Sequence, residues 1–97
     1  MEFKTLEEEI EYVYSNRINK EFVRNENFMF KIIVSATNTY TNLSLFYNDY
    51  KTLYLDNKIS RQCYISAVND LYLLALLHTN ENNWDEIIQE EQTICKN

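Results

Sequence analysis

Apolar residues recur at the three- and four-residue spacing of amphipathic helices along most of this chain. The first set follows Thr5, whose spacing to Glu8 is that of a capping box at a helix start. The apolar positions of this segment are Leu6, Ile10, Val13 and Tyr14. The pattern predicts a first helix over about residues 5–16.

A seven-residue repeat runs through the middle of the chain. One position of the repeat holds Ile33, Tyr40, Tyr47 and Tyr54, and a second holds Met29, Ala36, Leu43 and Tyr50. Such repeats are typical of a helix that packs lengthwise against others, so we expect a long second helix over 27–55. Residues 37–42 have poor helix propensity, and we expect the helix to be bent or broken there. Residues 28–34 alone would also suit a buried strand, but no second segment has the hairpin chemistry to pair with it.

The remaining pattern predicts two further helices. Ser60 is a suitable N-cap for a third helix over 60–78, which is apolar on nearly all sides in its second half. Such a helix is either the centre of the fold or has an outer face that forms an oligomer interface. Asn83 and Glu86 have the spacing of a helix N-cap and the third residue after it, as Thr5 and Glu8 do. We therefore expect a fourth helix over 83–95.

Composition agrees with this pattern, because the chain has no glycine and no proline. Tight hairpins and phosphate-binding loops depend on these residues, whereas helices need neither except at their ends. Codon bias of an AT-rich genome would contribute to the same composition. We therefore predict an all-α fold, a small bundle of about four helices in a single domain over residues 1–97.

The net charge of −6 is concentrated at the two ends of the chain. Residues 1–16 and residues 79–97 each hold five acids and one base. Residues 17–78 hold seven bases and five acids. If the ends meet in the fold, they form a negative surface that attracts basic proteins and repels nucleic acid. Acidic residues in a first helical turn also simply favour the helix dipole.

Few residues suit catalysis. His78 is the only histidine, and the absence of glycine excludes the phosphate-binding loop motifs. Cys63 is 15 residues from His78, about 22 Å along one helix, so they cannot form a nucleophile–base pair within a monomer. We expect no enzyme activity, no cofactor and no metal site.

Direct nucleic-acid binding is not expected either. The only concentration of bases, at Arg17, Lys20, Arg24 and Lys31, is interleaved with acids. No apolar run is long enough to cross a membrane. The N-terminal segment is acidic and lacks the features of a secretion signal, so we expect a cytoplasmic protein, in the host cell if the source is viral.

Two surfaces are candidates for protein contacts. The partner-binding candidates are the acids Glu7, Glu8, Glu11, Asp85, Glu86 and Glu90. The candidates for an oligomer interface are Phe46, Tyr50, Leu53, Tyr54, Leu73, Leu76 and Leu77. Tyrosine suits surfaces that are dry in a complex and wet outside it, which favours the distal half of the second helix.

Size, charge and composition resemble those of small phage-encoded inhibitors, including anti-CRISPR proteins and DNA mimics. The resemblance implies an acidic helical module that blocks a basic, nucleic-acid-binding host protein by steric and electrostatic exclusion. We also expect this module to associate with itself as a dimer, through the third helix or the distal half of the second. One alternative is a structural or regulatory homo-oligomer with no host target. A second is a DNA-binding transcriptional regulator.

Overall fold

The computed structural model describes residues 3–36 and 42–95, with side chains to residue 91. Its five α-helices are α1 (Leu6–Asn16), α2 (Glu26–Ala36), α3 (Leu43–Leu55), α4 (Arg61–Leu77) and α5 (Glu81–Cys95). The predicted all-α class is confirmed, and the described ranges contain no strand. The helix count differs from about four because the predicted 27–55 helix is two helices.

The seven-residue repeat reflects two helices that face one core. α2 and α3 pack against each other, and the rings of Phe30 and Tyr47 lie 4.7 Å apart. The chain therefore reverses between them instead of continuing as a rod from Met29 to Tyr54. Residues 37–41, which include Tyr40 and most of the predicted bend, lie outside the described residues.

Side-chain caps define the helix starts. Thr5 accepts a hydrogen bond from the Glu8 amide (3.1 Å), and Ser60 accepts one from the Cys63 amide (3.1 Å), as the sequence predicts. The last helix begins earlier than predicted. Its cap is Asn80, whose side chain accepts from the Asn83 amide at 2.8 Å.

Without glycine, the chain uses asparagine to end α3. Asn57 has a φ of 60°, the left-handed conformation that a helix C-terminus favours. The amides of Asn57 and Lys58 donate to the carbonyls of Tyr54 (3.1 Å) and Leu53 (2.8 Å), which completes a Schellman motif. This turn directs the chain into α4.

The third predicted helix, α4, is the centre of the fold. It packs against α1, α2 and α3, and Val68, Tyr72 and Leu76 are fully buried. One side of α4 is left uncovered by these three helices, since Asp70 and Leu74 on that side are exposed.

The last helix, α5, lies beside α2. Trp84 is buried with its ring 6.3 Å from Phe28, and Lys31 forms an ion pair with Glu90 at 3.2 Å. Phe28 in turn contacts Tyr72 on the buried side of α4. α2 and α5 therefore lie on the side of α4 opposite its uncovered face.

Candidate functional site

A buried charged cluster joins α1, α4 and the connection between α1 and α2. The Glu9 side chain is 0% exposed, and both of its oxygens accept hydrogen bonds from Arg24, one of them at 3.3 Å. The Tyr72 hydroxyl donates to the same carboxylate at 2.9 Å. A second carboxylate, that of Glu91 on α5, lies 3.7 Å from Arg24. The guanidinium therefore neutralises a carboxylate that has no access to water.

The electrostatics of this cluster favour a charged Arg24 and a neutral Tyr72. Burial by itself lowers the pKa of Arg24, but the hydrogen bond and charge of Glu9 offset this effect and raise the pKa above its ordinary value. Burial and the adjacent Glu9 raise the pKa of Tyr72 well above its usual range. Arg24 also lies over the Phe28 ring, 4.7 Å from its centroid. The charged arginine and neutral tyrosine thus both persist at physiological pH.

A second polar cluster joins α2, α3 and α4 at the other end of the core. The Glu26 carboxylate accepts hydrogen bonds from the hydroxyls of Tyr47 (2.6 Å) and Tyr64. Tyr54 stacks on Tyr64 with ring centroids 4.7 Å apart, and Arg61 donates to the Tyr54 hydroxyl at 3.1 Å. One carboxylate thereby ties together three helices.

Both tyrosines of this cluster resist ionisation. Burial, followed by the hydrogen bond to Glu26, raises the pKa of Tyr47 to about 12. The same two causes raise the pKa of Tyr64 well above its ordinary value. A tyrosine of this kind is a hydrogen-bond donor at neutral pH and a poor general base.

The polar groups of these two clusters bond to one another across the helices. Within the described ranges, every buried polar side-chain atom has a hydrogen-bond partner. Cys63 and His78, which were considered as a nucleophile and its base, lie at opposite ends of α4. No group of three or more metal-ligating side chains occurs in the described part of the chain.

An open cleft of about 310 Å³ lies where α2, α4 and α5 meet. Its polar lining is Ser35, His78, Thr79, Asn83 and Glu86, and its apolar lining is Ala36 and Ile87. Glu86 is exposed at the rim, one residue from the equally exposed Asp85. The cleft is therefore a water-accessible recess with a carboxylate at its edge.

The six acids predicted to bind a partner are all exposed. Glu8 accepts a hydrogen bond from the Lys4 amide at 2.9 Å, and Glu90 forms the ion pair with Lys31. The other four, Glu7, Glu11, Asp85 and Glu86, make no ion pair within the described residues.

The structure brings the two acidic ends of the chain to one arginine but not into one patch. Arg24 contacts Glu9 on α1 and Glu91 on α5. Glu7 and Glu11 are each two residues from Glu9, about 200° around the helix, so they lie on the face of α1 opposite the buried Glu9. The predicted acids therefore divide between α1 and α5, and of the six only Glu86 lines the cleft.

The residues predicted for an oligomer interface also divide. Five of them retain some exposure: Phe46, Tyr50, Leu53, Tyr54 and Leu77. Leu73 and Leu76 differ from the expectation, since they are 8% and 0% exposed and belong to the core. They face the bundle because α4 turns its other side, with Leu74, to the outside.

Sequence reasoning missed the structural role of Glu9. The sequence contains a signal, because Glu9 falls between Leu6 and Val13 on the apolar face of α1. Its place in a run of three glutamates made it look like part of a solvated surface. The cluster around Glu26 has no comparable local signal.

Comparison with protein-family models, curated proteins and solved structures gave no match. Among the described helices, none has the length and apolarity needed to span a bilayer.

Proposed function

We propose that this protein is an acidic helical interaction module that binds a basic surface of a partner protein and blocks it without turnover. The observation that carries the proposal is the cleft rimmed by Glu86, whose carboxylate has no ion pair in the described chain. An exposed carboxylate beside a polar recess suits a lysine or arginine side chain of a partner.

The charge distribution supports a basic partner. Glu86 would contact it directly, while Asp85 and Glu90 on the same helix and Glu7, Glu8 and Glu11 on α1 add to the negative field that guides its approach. A surface of this sign suits the nucleic-acid-binding groove of a host protein, as in phage or mobile-element inhibitors. The mechanism is exclusion: the bound module occupies the groove and repels nucleic acid from it.

The proposal is tested by affinity capture from a lysate of the native host, followed by mass spectrometry. We compare the wild type with two variants of equal charge change, Asp85→Lys/Glu86→Lys on α5 and Glu21→Lys/Asp49→Lys elsewhere on the exposed surface. We expect the α5 variant to lose the partner and the control variant to retain it, with helical circular dichroism unchanged in both. Equal capture by both variants would reject the cleft surface.

The two alternative functions give different results. A homo-oligomer without a host target forms a stable assembly and captures nothing specific. A DNA-binding regulator retains duplex DNA in a strongly salt-dependent manner. Either result, in place of a partner that depends on Asp85 and Glu86, contradicts the proposed function.

A further inference from the structure

The uncovered side of α4 and the helix α3 that packs against α4 both carry large exposed apolar side chains. They include Phe46 (48%), Leu53 (40%), Leu74 (44%) and Leu77 (53%). The stacked rings of Tyr54 and Tyr64 fix the alignment of these two antiparallel helices. Phe46 lies eight residues before Tyr54 and Leu74 ten after Tyr64, about 12 and 15 Å along their helices, so the two stand at similar heights along the paired helices. Exposed apolar faces of this kind mark interaction surfaces.

An ion pair lies one helical turn before Leu74 on the exposed side of α4. Arg17, at the end of α1, approaches Asp70 of α4 to 3.6 Å, and both side chains remain partly exposed, 37% and 54%. Arg17 also lies over the ring of Tyr14, a further exposed aromatic residue on α1. Partial burial raises the pKa of Asp70, against the opposing effect of Arg17. An apolar partner would remove both charges from water without supplying a charge or hydrogen bond to compensate.

A second copy of the chain offers matching charges. In a dimer with two-fold symmetry, every contact between the copies occurs twice, once in each direction. Arg17 of each copy can therefore approach Asp70 of the other. We propose that this face, formed by α3, α4 and the end of α1, docks onto the same face of a second copy with the α4 helices antiparallel. The ion pairs are then shared across the two-fold axis, and the four large apolar side chains are covered.

This dimer does not depend on the partner-binding surface proposed above. Asp85 and Glu86 belong to α5, which lies on the opposite side of α4. A chain that stays monomeric but captures a basic partner would overturn only the dimer. A dimer that captures nothing would overturn only the proposed function.

The first test is the molar mass in solution, measured by sedimentation from micromolar to near-millimolar concentration. We expect a dimer for the wild type and for Leu45→Asp, since Leu45 is 58% exposed on a different side of α3. Leu74→Asp should raise the dimer dissociation constant at least about tenfold. A wild type that stays monomeric, or a Leu74→Asp variant that dimerises as the wild type does, overturns the inference.

The second test uses charge exchange and does not require an apolar substitution. Arg17→Asp places two acids on the face, and Asp70→Arg places two bases there. We expect each variant alone to be monomeric and their equimolar mixture to form a heterodimer. A mixture that remains monomeric would show that the ion pair is not shared between copies.

The relative direction of the helices is tested by a disulfide. Cys63 is exposed at the start of α4 and Leu77 ends the helix, 14 residues or about 21 Å away, too far for a bond within one copy. In a Cys95→Ser background, Leu77→Cys should give an oxidised dimer linked between positions 63 and 77. A dimer linked only through two copies of Cys63 contradicts the antiparallel arrangement.

Discussion

The carboxylate of Glu9 is completely buried and is held by the guanidinium of Arg24, 15 residues later in the chain. The pair lies where α1, the connection to α2, and α5 meet. An unpaired charge in such a position is far more costly than a missing surface ion pair.

Removal of one partner of this pair should strongly destabilise the protein. We expect Arg24→Ala to reduce the free energy of unfolding by about 3–5 kcal/mol, because Glu9 would remain buried without a counter-charge. Glu11→Ala, at an exposed position of the same helix, should change it by no more than about 0.5 kcal/mol. Urea unfolding of the variants gives both values, and a small loss for Arg24→Ala would show that Glu9 has access to water.

The tyrosine cluster should make stability fall at alkaline pH. The pKa of Tyr47 is raised from 10.0 to about 12 in the folded state, so the unfolded chain releases its proton at lower pH than the folded chain does. This contribution to stability is fully present below about pH 10 and is lost as the pH rises towards 12.

Urea unfolding at a series of pH values measures this dependence. We expect Tyr47→Phe to be less stable than the wild type at neutral pH and to lose less stability between pH 10 and 12. Tyr14→Phe is the control, since Tyr14 is exposed. The cluster would have no such role if Tyr47→Phe and the wild type had identical alkaline profiles.

Asn69 should anchor the connection between α1 and α2. Its buried side chain accepts from the Val23 amide (3.1 Å) and donates to the Glu21 carbonyl (3.2 Å). We expect Asn69→Ala to cost about 1–3 kcal/mol, because it leaves backbone groups without partners. Hydrogen exchange should show faster exchange of the Val23 amide in the variant, and unchanged exchange there would contradict this anchor.

The end of α3 should depend on the conformation of Asn57. Its φ of 60° is costly for alanine, so we expect Asn57→Ala to lower the free energy of unfolding by about 1–2 kcal/mol. Asn57→Gly is the matched variant and should cause no loss, since glycine adopts this conformation without strain. Equal destabilisation by both substitutions would point to the asparagine side chain instead of the backbone.

Much of the fold could be predicted from the sequence, because periodicity and caps are local signals. Thr5 and Ser60 cap the helices that their spacing indicates. The weak helix formers after Ala36 coincide with the division of the predicted long helix. The seven-residue repeat could not show that division, because two helices that face one core have the same pattern of apolar positions as one long helix.

The surfaces were harder to predict because they depend on how the helices are arranged. α4 is apolar nearly all round, so its sequence does not show that Leu76 is buried and Leu74 exposed. The ion pair of Glu9 and Arg24 is equally non-local, because the irregular connection between α1 and α2 positions the arginine. The place of Glu9 on the apolar face of α1 signals its burial, but no spacing in the sequence indicates Arg24 as its partner.

Binding of a basic surface at the α5 cleft is tested by the dissociation constant for the captured partner at low and high ionic strength. If a basic surface binds at the α5 cleft, affinity should fall with added salt, and Asp85→Lys/Glu86→Lys should bind at least about tenfold more weakly than the wild type at low salt. Glu21→Lys/Asp49→Lys should match the wild type. Affinity that is independent of salt and unchanged in the α5 variant would contradict the account.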